Sequence, residues 1–468
     1  MQKQISRFIR PCTIVLTALL LGTAAYCGPQ AYAAGYTAHE WNNKAIASSN
    51  AHKWDQAVYG FEKAYALNQS DTIVARNLLT GYLNLANHLS EKKRFNDALR
   101  WANKAKKLKN TSSVQKTISV IHANHAVYLA GVGRWKAAIR VAGLALKFDM
   151  QNKTNRKNLS NIYYGYAQTL DDTKRLDAAK NAIIYNPQSA SNWALAGYAF
   201  YNSDNLKQAV THFEKALELS PAYPGLKALL NKAKKDLKIE KDYQKTETRW
   251  FTVKFSGYEN TGLARDVITV LDRAHYELKT KMGMFSDKKI VVVIYTGDDY
   301  KTASGGPDWS SGVYDGKIRI KEGTITDDRS VLENVLYHEY THAVIHERTK
   351  RAVPTWWNEG LAQHAEPSRK WNRSLKRKLT RSMTTGAWIP LSRLDRSFVS
   401  IVNHDEAEQA YLESYSLIQF LKSRYGAYSF VDVMNRISNG QKFDDVFYTI
   451  YRMRIPELDR EWKRFLKS

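Results

Sequence analysis

The sequence predicts a multi-domain protein: an all-α helical-repeat solenoid followed by an α+β domain. Three observations predict it. A large residue followed by alanine three and ten positions later recurs through the first half. Near Lys241 the composition changes to alternating and β-branched runs. Two histidines four apart then fall in a helical segment of the second half, with a glutamate on the next helix. At 468 residues the chain is too long for one ordinary core, which agrees with two domains.

The first residues read as targeting rather than fold. Lys3, Arg7 and Arg10 give a positive start, Thr13 to Ala25 is an apolar run without charge, and Ala31-Tyr32-Ala33 is an A-x-A cleavage pattern. That layout is a secretory signal peptide, 1–33, cleaved near Ala33. The run is shorter than the ~20 residues of a membrane span; the alternative is an uncleaved N-terminal anchor. A lipoprotein signal at Cys27 is disfavoured by bulky Tyr26. Cys12 and Cys27 both lie in this segment, so the mature chain is expected to have no thiol and to build any metal site from His, Asp and Glu. The expected location is exported, periplasmic or extracellular.

A hydrophobic share of 44% and an aromatic share of 12% exclude a wholly disordered chain. The formal net charge of +25 implies an anionic neighbour or serves solubility, and says nothing about fold. Charge alone does not separate nucleic acid, acidic lipid and acidic envelope polymers.

From 35 to 238 the recurring set is Trp54 with Ala57 and Ala64, Phe95 with Ala98 and Ala105, and Trp135 with Ala138 and Ala145. Leu176 with Ala179 is a weaker copy, and Leu206 with Ala209 and Ala216 a strong one. Small residues at helix spacing let a neighbouring helix approach, and the large one fills the gap beside it. Asn68-Gln69-Ser70, Asn186-Pro187 and Ser220-Pro221 end copies with breakers. The segments 53–69 and 205–221 resemble the second helix of a tetratricopeptide repeat (TPR). The alanine spacings depart from that family's period near 34: 41, 40, 41 and 30 residues separate Ala57, Ala98, Ala138, Ala179 and Ala209. The expectation is four to six helical hairpins, closed by a helix over 223–238 with lysines on its outer side. Such an array grips a peptide or protein partner, or serves as a spacer.

Charged 239–249 reads as a linker. Then 250–255 alternates as a strand, 261–281 as an amphipathic helix, and 289–295 as a buried β-branched strand. Asp315-Gly316 within 312–320 is a hairpin signal. A helix over 329–348 follows, then a break at Pro354 and a helix from Thr355.

Inside the first of these helices lies His338-Glu339-Tyr340-Thr341-His342. Positions four apart stack one turn up the same face, so both imidazoles can meet one Zn²⁺ at ~2.0–2.1 Å. Glu339, turned aside, stands where it takes a proton from an activated water. Catalytic zinc wants a third protein ligand, and Glu359 in Trp356 to Ala362 supplies it from the next helix. His346 lies about 12 Å along the helix from His338 at ~1.5 Å per residue, too far to share the ion.

HExxH followed by Glu in an N-E-G-L-A context resembles the gluzincin peptidases, the superfamily of thermolysin and the zinc aminopeptidases. The resemblance covers roughly 250–426. It implies an α+β zincin-like metallopeptidase domain over 250–468, preceded by the TPR-like solenoid. It also implies His338, His342 and Glu359 as zinc ligands, Glu339 as general base, and 312–320 as an edge strand pairing with extended substrate. The family's oxyanion donor, a downstream Tyr or His, points to Tyr411, with Tyr415 on the same helix face as the alternative; both also suit a core. No element like the "GxMEN" of the aminopeptidases precedes the helix, which favours an endopeptidase acting on peptide or protein. The rival reading is a TPR scaffold with a vestigial or structural zinc site. Glu366 reads as a neighbour of the ligands or as exterior packing. Nine Lys and Arg (369, 370, 373, 376, 377, 378, 381, 393, 396) with one acid, Asp395, follow the third ligand. They read as a solvated face or as a cleft rim favouring acidic peptides or an anionic envelope surface. No nucleic-acid motif appears.

Overall fold

Alanine at the helix crossings sets the first half of the chain. The structure, a computed structural model, describes residues 36–468 apart from 171, 258–259, 305–310, 325–327, 351, 397, 399–400 and 402. The expected signal segment, 1–33, lies outside the described residues. Ten helices run in order: α1 (Ala38–Asn50), α2 (Trp54–Leu67), α3 (Thr72–Glu91), α4 (Phe95–Leu108), α5 (Ser112–Gly131), α6 (Trp135–Phe148), α7 (Lys153–Ala167), α8 (Asp172–Tyr185), α9 (Ala190–Asn202) and α10 (Leu206–Leu219). They form five hairpins. Each alanine pattern marks the second helix of a pair, and Ala57, Ala64, Ala98, Ala105, Ala138, Ala145, Ala179, Ala209 and Ala216 are all 0% exposed. Buried amides tie successive first helices: Asn77 donates to Asn42 at 3.0 Å, Asn155 to Ser119 at 2.8 Å, and Asn192 to Ser160 at 2.9 Å. The unusual spacing has a simple origin. First helices α3 and α5 are each 20 residues long, which widens the first two intervals. The fourth copy is out of register: Ala57, Ala98, Ala138 and Ala209 stand three residues after the start of their helices, Ala179 seven after the start of α8, so the interval before it is lengthened and the one after it shortened.

Contacts divide the chain into two units, up to Leu230 and from Asn231. The division falls inside α11 (Leu226–Glu240), ahead of the expected end of the array at Lys238. The expected linker, 239–249, is no linker throughout: it holds strand β1 (Gln244–Glu247), paired antiparallel with β2 (Phe251–Phe255). Its charges alternate with residues on a sheet edge, which is why composition alone read as a tether.

After β2 come α12 (Thr261–Met282), β3 (Ile290–Tyr295), α13 (Gly297–Ser304), β4 (Gly312–Tyr314), β5 (Ile318–Lys321), α14 (Arg329–Thr349) and α15 (Thr355–Ala365). The chain ends with α16 (Arg373–Thr385), α17 (His404–Tyr425), α18 (Tyr428–Ser438), α19 (Phe443–Tyr451) and α20 (Ile455–Lys467). The five strands order β1-β2-β3-β5-β4, with β2, β3 and β5 parallel and both outer pairs antiparallel. The Asp315-Gly316 hairpin forms, with Gly316 at φ 117°.

Strand alternation gives this sheet two different faces. Phe251, Val253, Phe255, Val292, Ile294, Ile318 and Ile320 join the apolar core with α12 and α14. The opposite face carries Lys254, Lys317 and Arg319, buried rather than solvated. Asp236 and Glu240, at the end of α11, neutralise them. Arg319 grips Asp236 through two bonds of 3.0 and 2.8 Å and reaches Asp315 at 2.9 Å. The Tyr295 hydroxyl donates to Glu240 at 2.6 Å, and Lys254 and Lys317 pair with the same carboxylate. The closing helix therefore ends as part of this core, not as a solvent-facing cap.

Two tests follow from buried charge. Arg319→Met removes the two-bond partner of buried Asp236, and loss of one partner from a buried pair costs about 3–5 kcal/mol; urea denaturation of the full chain is expected to show that loss, and a change under about 1 kcal/mol contradicts the account. Glu413 on α17 is 0% exposed. Burial raises its carboxyl to about 8, against the pull of bonds from Gln409 and the Ile389 amide. The unfolded chain gives up this proton near 4.5, the folded chain near 8, so stability falls as pH rises between those values. Glu413→Gln is expected to flatten that fall in melting temperatures measured across the interval; an unchanged slope rejects the assignment.

Candidate metal centre

Helix α14 starts cleanly because Asp328 caps it, its side chain accepting from the Ser330 amide at 2.7 Å. Leu332, Leu336, Tyr340 and Val344 anchor its buried side. His338 and His342 project from the turn between, with ring centroids 4.7 Å apart. Pro354 stops the preceding loop, and α15 is pinned by Trp356 and Trp357, 2% and 0% exposed, against Phe430, Phe443 and Phe447. Gly360 lets α15 lie against α17: a Cβ there would stand 2.3 Å from the Ser414 carbonyl oxygen. This close approach fixes Glu359, the residue before it.

The three sequence-predicted ligands meet. Glu359 Oε2 lies 3.5 Å from His338 Nε2 and 3.3 Å from His342 Nε2, and one ligand atom from each residue falls within 4.8 Å of the others. Ligands at 2.0–2.1 Å from a tetrahedral centre are spaced about 3.3–3.4 Å apart, so the donor set fits a zinc-sized ion. The charge balance fits too. With neutral imidazoles, Glu339, Glu359 and Glu366 against Arg369 leave two negative charges, the complement of a divalent cation. Burial opposes charge on His338, but its bonds to Glu359 and Glu366 prevail and raise it to about 10. Burial also opposes the Glu359 carboxylate, yet His342 and His338 hold it far below the usual range.

Glu339 is 6% exposed. Its Oε2 has no hydrogen-bond partner, and burial raises its pKa against His338 and His342. The backbone N–H of Tyr314 on β4 donates to its carboxylate. Strand and helix touch because residue 312 is glycine: a Cβ there would lie 2.6 Å from Val335 Cγ1 and 3.1 Å from Glu339 Cγ.

Of the two tyrosines, Tyr411 faces the cluster, its ring centroid 6.4 Å from that of His338. Burial raises its hydroxyl pKa, and Glu359, Glu339 and Glu366 add to the rise. Tyr415 points elsewhere: it is 1% exposed, and its hydroxyl donates to the Arg369 carbonyl at 3.5 Å. His346 stands beside Tyr314, 3.4 Å from its hydroxyl, and is not brought to the other histidines.

Sequence reasoning left Glu366 undecided and missed Arg369. His338 Nδ1 donates to Glu366 Oε1 at 2.9 Å, and Arg369 Nε donates to Glu366 Oε2 at 2.7 Å. A carboxylate only accepts, so Nδ1 carries a proton, and in the neutral ring this leaves the Nε2 lone pair to face the ion's place. The seven-residue step from Glu359 to Glu366, two helical turns, was the available signal. A second acid–histidine group, His404, Asp405 and Glu408, is exposed, and its Glu408 is engaged by Lys378. Glu366→Ala is expected to weaken metal binding about 10–100-fold, read by competition with a chromophoric chelator. Unchanged affinity would deny it the orienting role.

The Peptidase MA superfamily model matches residues 272–468, which include the whole cluster, and a tetratricopeptide repeat model matches 190–223. No curated protein matches the chain. Among solved structures, YrrB, a TPR protein with an unusual peptide-binding site, is 17% identical over 42% of this chain and 92% of its own, with TM-score 0.22. The TPR2AB domain of yeast Sti1, solved as a pHSP90 complex, is 17% identical over 52% and 91%, with TM-score 0.21. A thermophilic TPR protein of Thermus thermophilus, TTC0263, is 16% identical over 42% and 98%, with TM-score 0.18. The chain joins tetratricopeptide repeats to a Peptidase MA superfamily domain.

Proposed function

We propose that the protein is an exported zinc endopeptidase whose repeats bind its substrate or a protein partner. The observation that carries the reading is the convergence of His338, His342 and Glu359, with Glu339 buried and unpartnered at one oxygen beside them. A zinc ion in that set would act as Lewis acid on water and on a peptide carbonyl. Glu339, oriented by the Tyr314 amide, takes the proton of the attacking water and passes it to the leaving amine. Tyr411 donates a hydrogen bond to the oxygen that gains charge. Strand β4, at the sheet edge, pairs with an extended peptide backbone. Glu366 keeps the His338 ring turned and its Nε2 lone pair free. Two further observations support the reading: the superfamily match, and the TPR repeats, whose architecture commonly serves peptide or protein binding. Export rests on the N-terminal charge, apolar run and A-x-A pattern alone.

Glu339→Gln is expected to keep bound zinc, by metal analysis of the purified chain, and to lose cleavage of an unstructured protein. Retained cleavage rejects Glu339 as base, and a wild-type chain that neither holds zinc nor cleaves rejects the enzyme reading. Tyr411→Phe is expected to lower kcat by about 10²–10³-fold with KM little changed.

A further inference from the structure

From Pro367 to Leu394 the chain has eight Lys and Arg and no Asp or Glu. Helix α16 crosses the middle of this stretch. Its inner side is fixed: Leu379 and Ser382 are buried, and Leu375 and Met383 pack on the core. Its outer side presents Arg373, Arg377 and Arg381, all exposed. Among the described residues no acid pairs with these three. The nearby acids serve other cations: Glu408 holds Lys378, Glu406 holds Arg393, and Glu461 holds Arg464. One turn ahead of Arg373, Arg369 holds Glu366, which holds His338. The cationic row thus begins at the metal centre.

We propose that this row docks an acidic, extended segment of the polypeptide substrate, an inference that rests on the peptidase reading above. Residues four apart on a helix rise about 6 Å, and alternate side chains of an extended chain recur every 6.6–6.8 Å or so. A strand-like segment with acids at every second position therefore meets three guanidiniums nearly in register. The planar fork of arginine suits a carboxylate. Insertion into a bilayer surface asks instead for apolar or aromatic side chains beside the basic groups. Here the exposed neighbours include Asn372, Ser374, Lys378, Thr384 and Thr385, none of them large and apolar.

The test measures binding apart from cleavage. The probe is a fluorescein-labelled peptide with Glu at alternate positions, and its control has Gln instead. Both are titrated into full-length Glu339→Gln protein and followed by anisotropy. The Glu peptide is expected to bind about tenfold tighter at about 0.05 M salt, and the difference to vanish at about 0.5 M. Adding R373Q/R377Q/R381Q should abolish the difference, whereas R373K/R377K/R381K should keep most of it. Equal binding of both peptides, or discrimination that survives the Gln triple variant, overturns the proposal. So does tight binding to phosphatidylglycerol vesicles or single-stranded DNA that depends on the row while the peptides are not distinguished. Discrimination with no cleavage by the wild-type chain leaves the docking row standing and fails the peptidase reading alone.

Discussion

The second half of the protein depends on burying three carboxylates around two imidazoles. Glu339, Glu359 and Glu366 are all largely removed from water beside His338 and His342, and one guanidinium does not balance them. Buried carboxylates at this density are costly unless a cation or protons compensate. The alternatives compete for the same Nε2 lone pairs, so metal affinity at such a site rises with pH. The surrounding structure resists collapse of the cluster. The Trp356 and Trp357 anchors hold α15, and the α15–α17 contact at Gly360 fixes the backbone beside Glu359.

The same sheet solves two problems with opposite faces. Its apolar face packs on α12 and α14 and so fixes the helix that bears both histidines. Its other face buries cations under the carboxylates of α11. Such pairs add little net stability, since desolvation offsets attraction, but they tolerate no missing partner. They therefore select one seating of residues 236–240 on the strands. The edge strand β4 completes the arrangement, since Tyr314 contributes its amide to Glu339 only because Gly312 permits contact.

Much of this was legible in the sequence. The repeats were readable because alanine at a helix crossing is a local signal, and each marked alanine is fully buried. The convergence of His338, His342 and Glu359 was readable because an i, i+4 pair and an N-E-G-L-A segment on the next helix need little tertiary knowledge. What was missed or left open shared one cause: it depended on partners distant in sequence. Lys254, Lys317 and Arg319 alternate with apolar residues as solvent-facing positions do, yet their counter-charges arrive from up to 83 residues away. Strand β1 hid in a charged stretch because only its pairing with β2 makes it a strand. Tyr411 and Tyr415 share a helix face by spacing, and what separates them is the His338 ring beside the first and the Arg369 carbonyl beside the second.

The central claim is that His338, His342 and Glu359 converge on a metal ion. Anomalous scattering above and below the zinc edge, from crystals of the full-length chain, tests it most directly. The account predicts one anomalous peak about 2.0–2.2 Å from His338 Nε2, His342 Nε2 and a Glu359 oxygen. Crystals grown with zinc that show no peak there, with the Glu359 carboxylate bonded directly to the two rings, would contradict it.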